Sequence, residues 1–111
     1  MFSRIVEFDA LRSIAFDALS TAYTAIGTPF AHTVRLIKFV NETDSDALVS
    51  LDGVTDNDIV PSGGFALYDL TTNGPSQTEF IIAKGTLVYA KQDIASTSGN
   101  FYVTCIYGKG E

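Results

Sequence analysis

The chain has little of what catalytic and metal-binding proteins lean on. It has no tryptophan, one cysteine, one histidine and one methionine. Cys105 alone excludes an intrachain disulfide, so a fold of 111 residues must hold by packing or by association. His32 alone excludes a histidine pair for zinc, and no local partner marks it as a general base. It reads as a loop histidine following Gly27-Thr28-Pro29-Phe30. Charge is scarce as well, at 18% of residues, against roughly 25% in an ordinary soluble domain. The seven cations (Arg4, Arg12, Arg35, Lys38, Lys84, Lys91 and Lys109) are scattered, and the net charge is −6, which argues against a phosphate-binding groove and hence against nucleic acid as a partner. No apolar run approaches the roughly 18 residues of a membrane span. Glu7 and Asp9 interrupt any signal-type apolar region, so the expectation is a chain made and used in soluble form, with no export signal of its own and no membrane partner.

What is present is apolar and aromatic. Hydrophobic residues make up 46% of the chain, with eight Phe and five Tyr, enough to bury a single core. Few charges among many aromatics point to surface covered by other chains. Between Val34 and Leu70, short alternating apolar runs are separated by turn clusters at Asn41-Glu42-Thr43-Asp44-Ser45-Asp46, at Asp52 to Asp58 and at Pro61-Ser62-Gly63-Gly64. The strongest strand is the last, with Phe101, Val103, Cys105 and Tyr107 on one face and Tyr102, Thr104 and Ile106 on the other. Val34 to Val40 sets Val34, Leu36 and Val40 opposite Arg35, Ile37 and Phe39, apolar on both faces. Ala47 to Leu51 and Phe65 to Leu70 read as further strands, and Glu79 to Ala83 with Thr86 to Lys91 as a pair joined through Lys84-Gly85. Six or seven short strands at such spacing predict an all-β, single-domain antiparallel β-sandwich or jelly roll over residues 11–111, preceded by an extended N-terminal arm at 1–10.

Asp9 to Gly27 is ambiguous. Leu11, Ile14, Ala15, Ala18, Leu19, Ala22, Tyr23 and Ile26 recur at helical spacing, with Asp9 as a cap and Gly27 as a stop, which gives an α+β alternative with a helix at about 10–26. Against it stand Ser20, Thr21 and Thr24, and a reading in which Ile14, Phe16 and Ala18 form one strand and Tyr23 to Ile26 another.

Candidate chemistry is thin. Six of the thirteen acids lie between Glu42 and Asp58, which raises calcium, but Asp52 to Asp58 lacks the ordered ligands of a helix-loop-helix calcium motif, and turn chemistry accounts for the residue types. Cys105, alternating with aromatics on a strand, reads as a small buried residue and not a nucleophile. Ser62-Gly63-Gly64 and Gly108-Lys109-Gly110 lack Walker spacing, and Asn41-Glu42-Thr43 is only formally a glycosylation acceptor. No catalytic, cofactor-binding or metal residue is assigned, and no cofactor is expected. The one feature assigned to interaction is the apolar terminus, with Met1, Phe2, Arg4, Ile5 and Phe8 as candidate partner contacts, pairing either with its own sheet or with a neighbouring subunit.

Tyr23-Thr24-Ala25-Ile26-Gly27-Thr28-Pro29, Val34 to Asn41, Leu48-Val49-Ser50-Leu51-Asp52-Gly53, Asp56 to Pro61 and the closing Gly99 to Gly108 resemble a group of small structural proteins of tailed bacteriophages. The resemblance implies a β-sandwich virion component, and it favours strands over a helix at 13–26. It implies a non-enzymatic capsid decoration (cement) protein or head-to-tail junction subunit, assembled in the host cytoplasm. Its partners would be further copies of itself and other virion proteins such as the major capsid protein or a portal or adaptor. The rival expectations are a tail-associated adhesion module, whose acidic loops at 44–46 and 52–58 would carry a cation or glycan, and a small hydrolase using a carboxylate pair.

Overall fold

The computed structural model describes residues 5–69 and 82–108. They form an all-β sandwich of two antiparallel sheets. In chain order the strands are β1 (Val6–Phe8), β2 (Arg12–Ala15), β3 (Thr24–Ile26), β4 (Val34–Asn41), β5 (Ala47–Ser50), β6 (Asp58–Val60), β7 (Phe65–Asp69), β8 (Val88–Gln92) and β9 (Asn100–Gly108). Sheet A runs β1-β9-β4-β7, with β2 also on β9, and sheet B runs β3-β8-β5-β6.

The alternation of β9 decides the interior. Phe101, Val103 and Cys105 are fully buried, and Ile37 and Phe39 of the neighbouring β4 join them. Sheet B answers with Ile26, Ala47, Val49, Val60, Val88 and Ala90, and Leu19 and Phe30 close the core from the connections. Each strand residue is at a position where a period-two pattern turns an apolar side chain inward.

The helical alternative at 10–26 is not adopted. Asp9 caps no helix: its Oδ1 accepts from Ala10 N and its Oδ2 pairs with Arg12 at 3.0 Å. After β2 a single 3-10 turn, Phe16–Ala18, stands where a continued strand through Phe16 and Ala18 is expected, and carries the chain from sheet A toward β3 in sheet B. Leu11, which a helix would bury, is 62% exposed.

Three other expectations are corrected. Val34 faces the core beside Ile37 and Phe39, because the ladder with β9 shifts by one residue between Val34 and Leu36; such a bulge puts consecutive segments of one strand out of phase. β8 pairs with β3 and β5, while of the expected 79–83 strand only Ile82 and Ala83 are described, and Ile82 bridges to Val34 in the other sheet. The acidic run at 52–58 ends in a strand, β6, on the edge of sheet B.

Chain segments β1 and β2 lie end to end along β9. Their registers differ by one residue, from Phe8 opposite Ile106 to Arg12 opposite Val103, so the edge carries a bulge at 9–11. Asp9 N donates to Cys105 O within it. Arg12 fastens this edge to sheet B: its guanidinium donates to Thr28 O at 3.2 Å and lies 4.6 Å from the Phe30 ring centre.

The corner between β4 and β5 turns on one buried side chain. Asn41 is fully buried; its Nδ2 donates to Ser45 O and Val60 O, both at 2.9 Å, and its Oδ1 accepts from Thr43 N at 3.0 Å. The Thr43 hydroxyl, 2.6 Å from Asn41 Oδ1 and 2.9 Å from Ser45 O, has one proton to share between them. Replacing Asn41 with Ala leaves the Val60 carbonyl and the Thr43 N–H without their Asn41 partner and only the Thr43 hydroxyl for Ser45 O, so Asn41→Ala is expected to destabilise the fold by about 3 kcal/mol. Urea unfolding measures this; a loss below about 1 kcal/mol would mean that water replaces the carboxamide.

Candidate interaction surface

The outer faces of the two sheets differ. On sheet B, Tyr89 and Lys91 point away from the core between buried Val88, Ala90 and Gln92, and the 51–57 loop folds back over them. Gly53 lies so close that a Cβ there would sit 3.2 Å from the Tyr89 ring, and its φ of +79° favours glycine in any case. Tyr23 donates its hydroxyl to Asp56, and Lys91 pairs with Asp56 at 3.3 Å while lying 4.6 Å from the Tyr23 ring centre. The loop is a strap, closed by Asn57 N donating to Val49 O and Asn57 Oδ1 accepting from Leu51 N.

Among the described residues nothing comparable covers sheet A. Its ladders place side chains in cross-strand rows: Phe8, Ile106, Leu36 and Asp69; then Thr104, Lys38 and Leu67; then Ser13, Tyr102, Val40 and Phe65. Phe8 is 72% exposed, Phe65 67% and Leu67 51%. Leu36, Val40, Tyr102 and Ile106 are half-buried. A contiguous face of this kind, with a single lysine at its centre, is the pattern of a contact surface. Beside it runs a groove of about 490 Å³ lined by Lys38, Val40, Glu42, Gly63, Gly64 and Phe65.

Of the contacts expected at the terminus, Ile5 is 62% exposed and Phe8 belongs to this face. Met1, Phe2 and Arg4 lie outside the described residues. β1 pairs with its own sheet, through β9. The residues that complete the surface, on β4, β7 and β9, were signalled only by the double-faced apolarity of Val34 to Val40.

The acidic loops are occupied by their own turns. Asp44 accepts from Thr97 N at 2.7 Å and from the Thr97 hydroxyl, and Asp46 from Ser62 N at 2.9 Å. Asp52 accepts from Thr55 N, the Ser50 hydroxyl and Val54 N at 2.7–2.8 Å. Among the described residues no three His, Cys, Asp or Glu side chains converge on a metal position. His32 stacks on Tyr107 with ring centres 3.8 Å apart. Cys105 is buried beside Arg12, and burial pushes its thiol up to about 11. A cavity of about 320 Å³ between the sheets is walled by core residues including Ile37, Phe39 and Val49; of its polar groups, Ser50 and Asn57 already serve the strap. No helix among the described residues is long and apolar enough to cross a membrane.

Comparisons with protein-family models, with curated proteins and with solved structures found no match.

Two measurements check these environments. The N–H of Thr55, then Ser50 and Val54, hold the Asp52 carboxyl well below the usual carboxylate range, and Thr97 lowers that of Asp44. A folded pKa below the unfolded one gives stability that is complete above about pH 4 and is lost as pH falls toward the folded value. The melting temperature is therefore expected to drop between about pH 5 and about pH 2, and less steeply in Asp52→Asn, which is also less stable at neutral pH. Equal slopes would show that Asp52 is not tied to its turn. Cys105 should resist iodoacetamide at neutral pH until denaturant is added, as mass spectrometry would show.

Proposed function

We propose that this chain is a non-enzymatic structural subunit of a tailed-phage particle, a capsid decoration (cement) protein or a head-to-tail junction component, that assembles through the outer face of sheet A. The observation that carries the reading is the asymmetry of the sandwich: on sheet B a strap covers Tyr89 and Lys91 and leaves Ile59 half exposed at the edge, whereas sheet A leaves Phe8, Phe65 and Leu67 in water along its cross-strand rows. An apolar face is tolerated on a subunit whose working state buries it. The resemblance of 23–29, 34–41 and 99–108 to phage structural proteins supplies the particle.

Stabilisation would work by mass action. A subunit that binds the assembled shell and not its separated parts adds its binding free energy to the assembled state, and symmetry repeats the gain at every equivalent site. The expected partners are copies of itself and the capsid or portal proteins, and the location is the virion.

The test is a reconstruction of the particle together with a polar version of the face. Density on capsid faces supports decoration, and a ring at one vertex supports a junction; density at the distal tail would favour the adhesion reading instead. Phe65→Ser with Leu67→Ser is expected to leave the circular dichroism spectrum unchanged and to lower occupancy at least about tenfold, since each buried side chain of this size is worth about 1.5–3 kcal/mol. Full occupancy with both substitutions would remove sheet A from the attachment.

A further inference from the structure

We infer that the occupant of the sheet A face is a second copy of this chain, related by a two-fold axis that lies in the interface and passes over Val40 perpendicular to β4. This rests on the reading of that face as a subunit contact and names its partner.

Lys38 and Val40 lie on the outer side of β4, and Glu42, the first residue beyond it, still donates its N–H to Asn100 O of β9; all three line the groove beside Phe65. Neither the Lys38 ammonium nor the Glu42 carboxylate has a partner among the described residues, and four residues of extended chain hold them about 14 Å apart, too far to pair with each other. A cation, an apolar residue and an anion at equal spacing match the same series when it is reversed. Rotation about an axis over Val40 performs that reversal: Lys38 comes to lie over Glu42 of the partner subunit, and Glu42 over Lys38 of the partner subunit. Sheets stacked face to face lie about 10 Å apart, a gap that a lysine and a glutamate reach across together.

The two rows nearest the axis obey the same operation, whereas the row of Phe8, Ile106, Leu36 and Asp69 falls beyond the end of the partner subunit's β4 and stays outside the contact. The row through Val40 carries Tyr102 and Phe65, and it lies along the axis, so Tyr102, Val40 and Phe65 each meet their own copy. Leu67, one row away beside Lys38, comes to lie over Gly63 of the partner subunit. That position is open: an added Cβ at Gly63 would meet nothing within 4 Å. An axis over Lys38 would instead set the two lysines against each other, and like charges in contact are unfavourable. A net charge of −6 on each chain opposes association in general, so salt dependence alone would not isolate this contact.

The test is charge reversal read by sedimentation velocity across protein concentration. The natural chain is expected to form a dimer. Lys38→Glu and Glu42→Lys are each expected to weaken dimerisation at least about tenfold, because each places like charges together twice in every dimer. Two restorations follow from the symmetry: the double variant K38E/E42K returns to within about threefold of the natural chain, and an equimolar mixture of the two single variants forms a heterodimer. Circular dichroism and melting temperature establish that each variant is folded. The inference is overturned if the natural chain stays monomeric, if both single variants dimerise like the natural chain, or if neither the double variant nor the mixture recovers. A monomer that nevertheless occupies particles would remove the two-fold contact and keep the structural role; a dimer with these charge effects that is absent from particles would do the reverse.

Discussion

The passage from β4 to β5 forces the chain out of sheet A and into sheet B within residues 42–46, and the surrounding structure depends on how that crossing is satisfied. A tight crossing turns backbone carbonyls inward where neither ladder can reach them. The Asn41 carboxamide supplies the missing donors to Ser45 and Val60 and takes the Thr43 N–H in return. Its own backbone is engaged as well, with N donating to Gly64 O and O accepting from Gly63 N. One residue thus ties the end of β4 to the start of β5, the end of β6 and the turn into β7. A buried amide with both donors and its acceptor used is worth more than its separate bonds, because loss of any one strands a group in low dielectric.

The neighbouring loops are positioned from this corner. Gly99 passes so near that an added Cβ would lie 2.0 Å from Glu42 O, and its φ of +94° is one that side chains resist. Glu42 N donates to Asn100 O, Thr97 holds to Asp44, and Ser62 donates its hydroxyl to Thr43 O and its N–H to Asp46. The acids that a reader of the sequence would offer to a cation are therefore acceptors for turn N–H groups. Across the molecule Arg12 does comparable work, joining Asp9, Thr28 O and the Phe30 ring so that the paired edge of sheet A stays shut against sheet B.

The strands whose alternation is simple were legible from residue types: Phe101, Val103 and Cys105 in β9, and Ala47 and Val49 in β5, are buried as their period requires. The places that were not legible share a cause. A bulge adds one residue without changing composition, so neither Val34's burial nor the step between β1 and β2 has a signature in a single sequence. Helical spacing at 11–26 arose because two short strands and a 3-10 turn place apolar residues at intervals that a helix also favours. β6 was hidden because Asp58 reads as one more turn acid. The candidate surface was half visible: Leu36 and Val40 showed that β4 is apolar on its second face, but Phe65, Leu67 and Tyr102 join them only through cross-strand pairing, which is a property of the ladder and not of any segment.

The difference between the two outer faces bears on function for an energetic reason. A protein that works alone can protect an apolar sheet face with a loop, as the 51–57 strap does over Tyr89 with Asp56 as its clasp. The same chain leaves Phe65, Leu67 and Phe8 uncovered on sheet A, where exposed apolar rows favour association. Lys38 on β4 and Glu42 just beyond it flank the apolar groove. Lys38 and Glu42 must each shed water to be buried, and only a partner presenting the opposite charge at the matching spacing offsets that loss. In the two-fold dimer proposed above, the charged ends of the groove would act as a filter on which surface can cover its apolar middle.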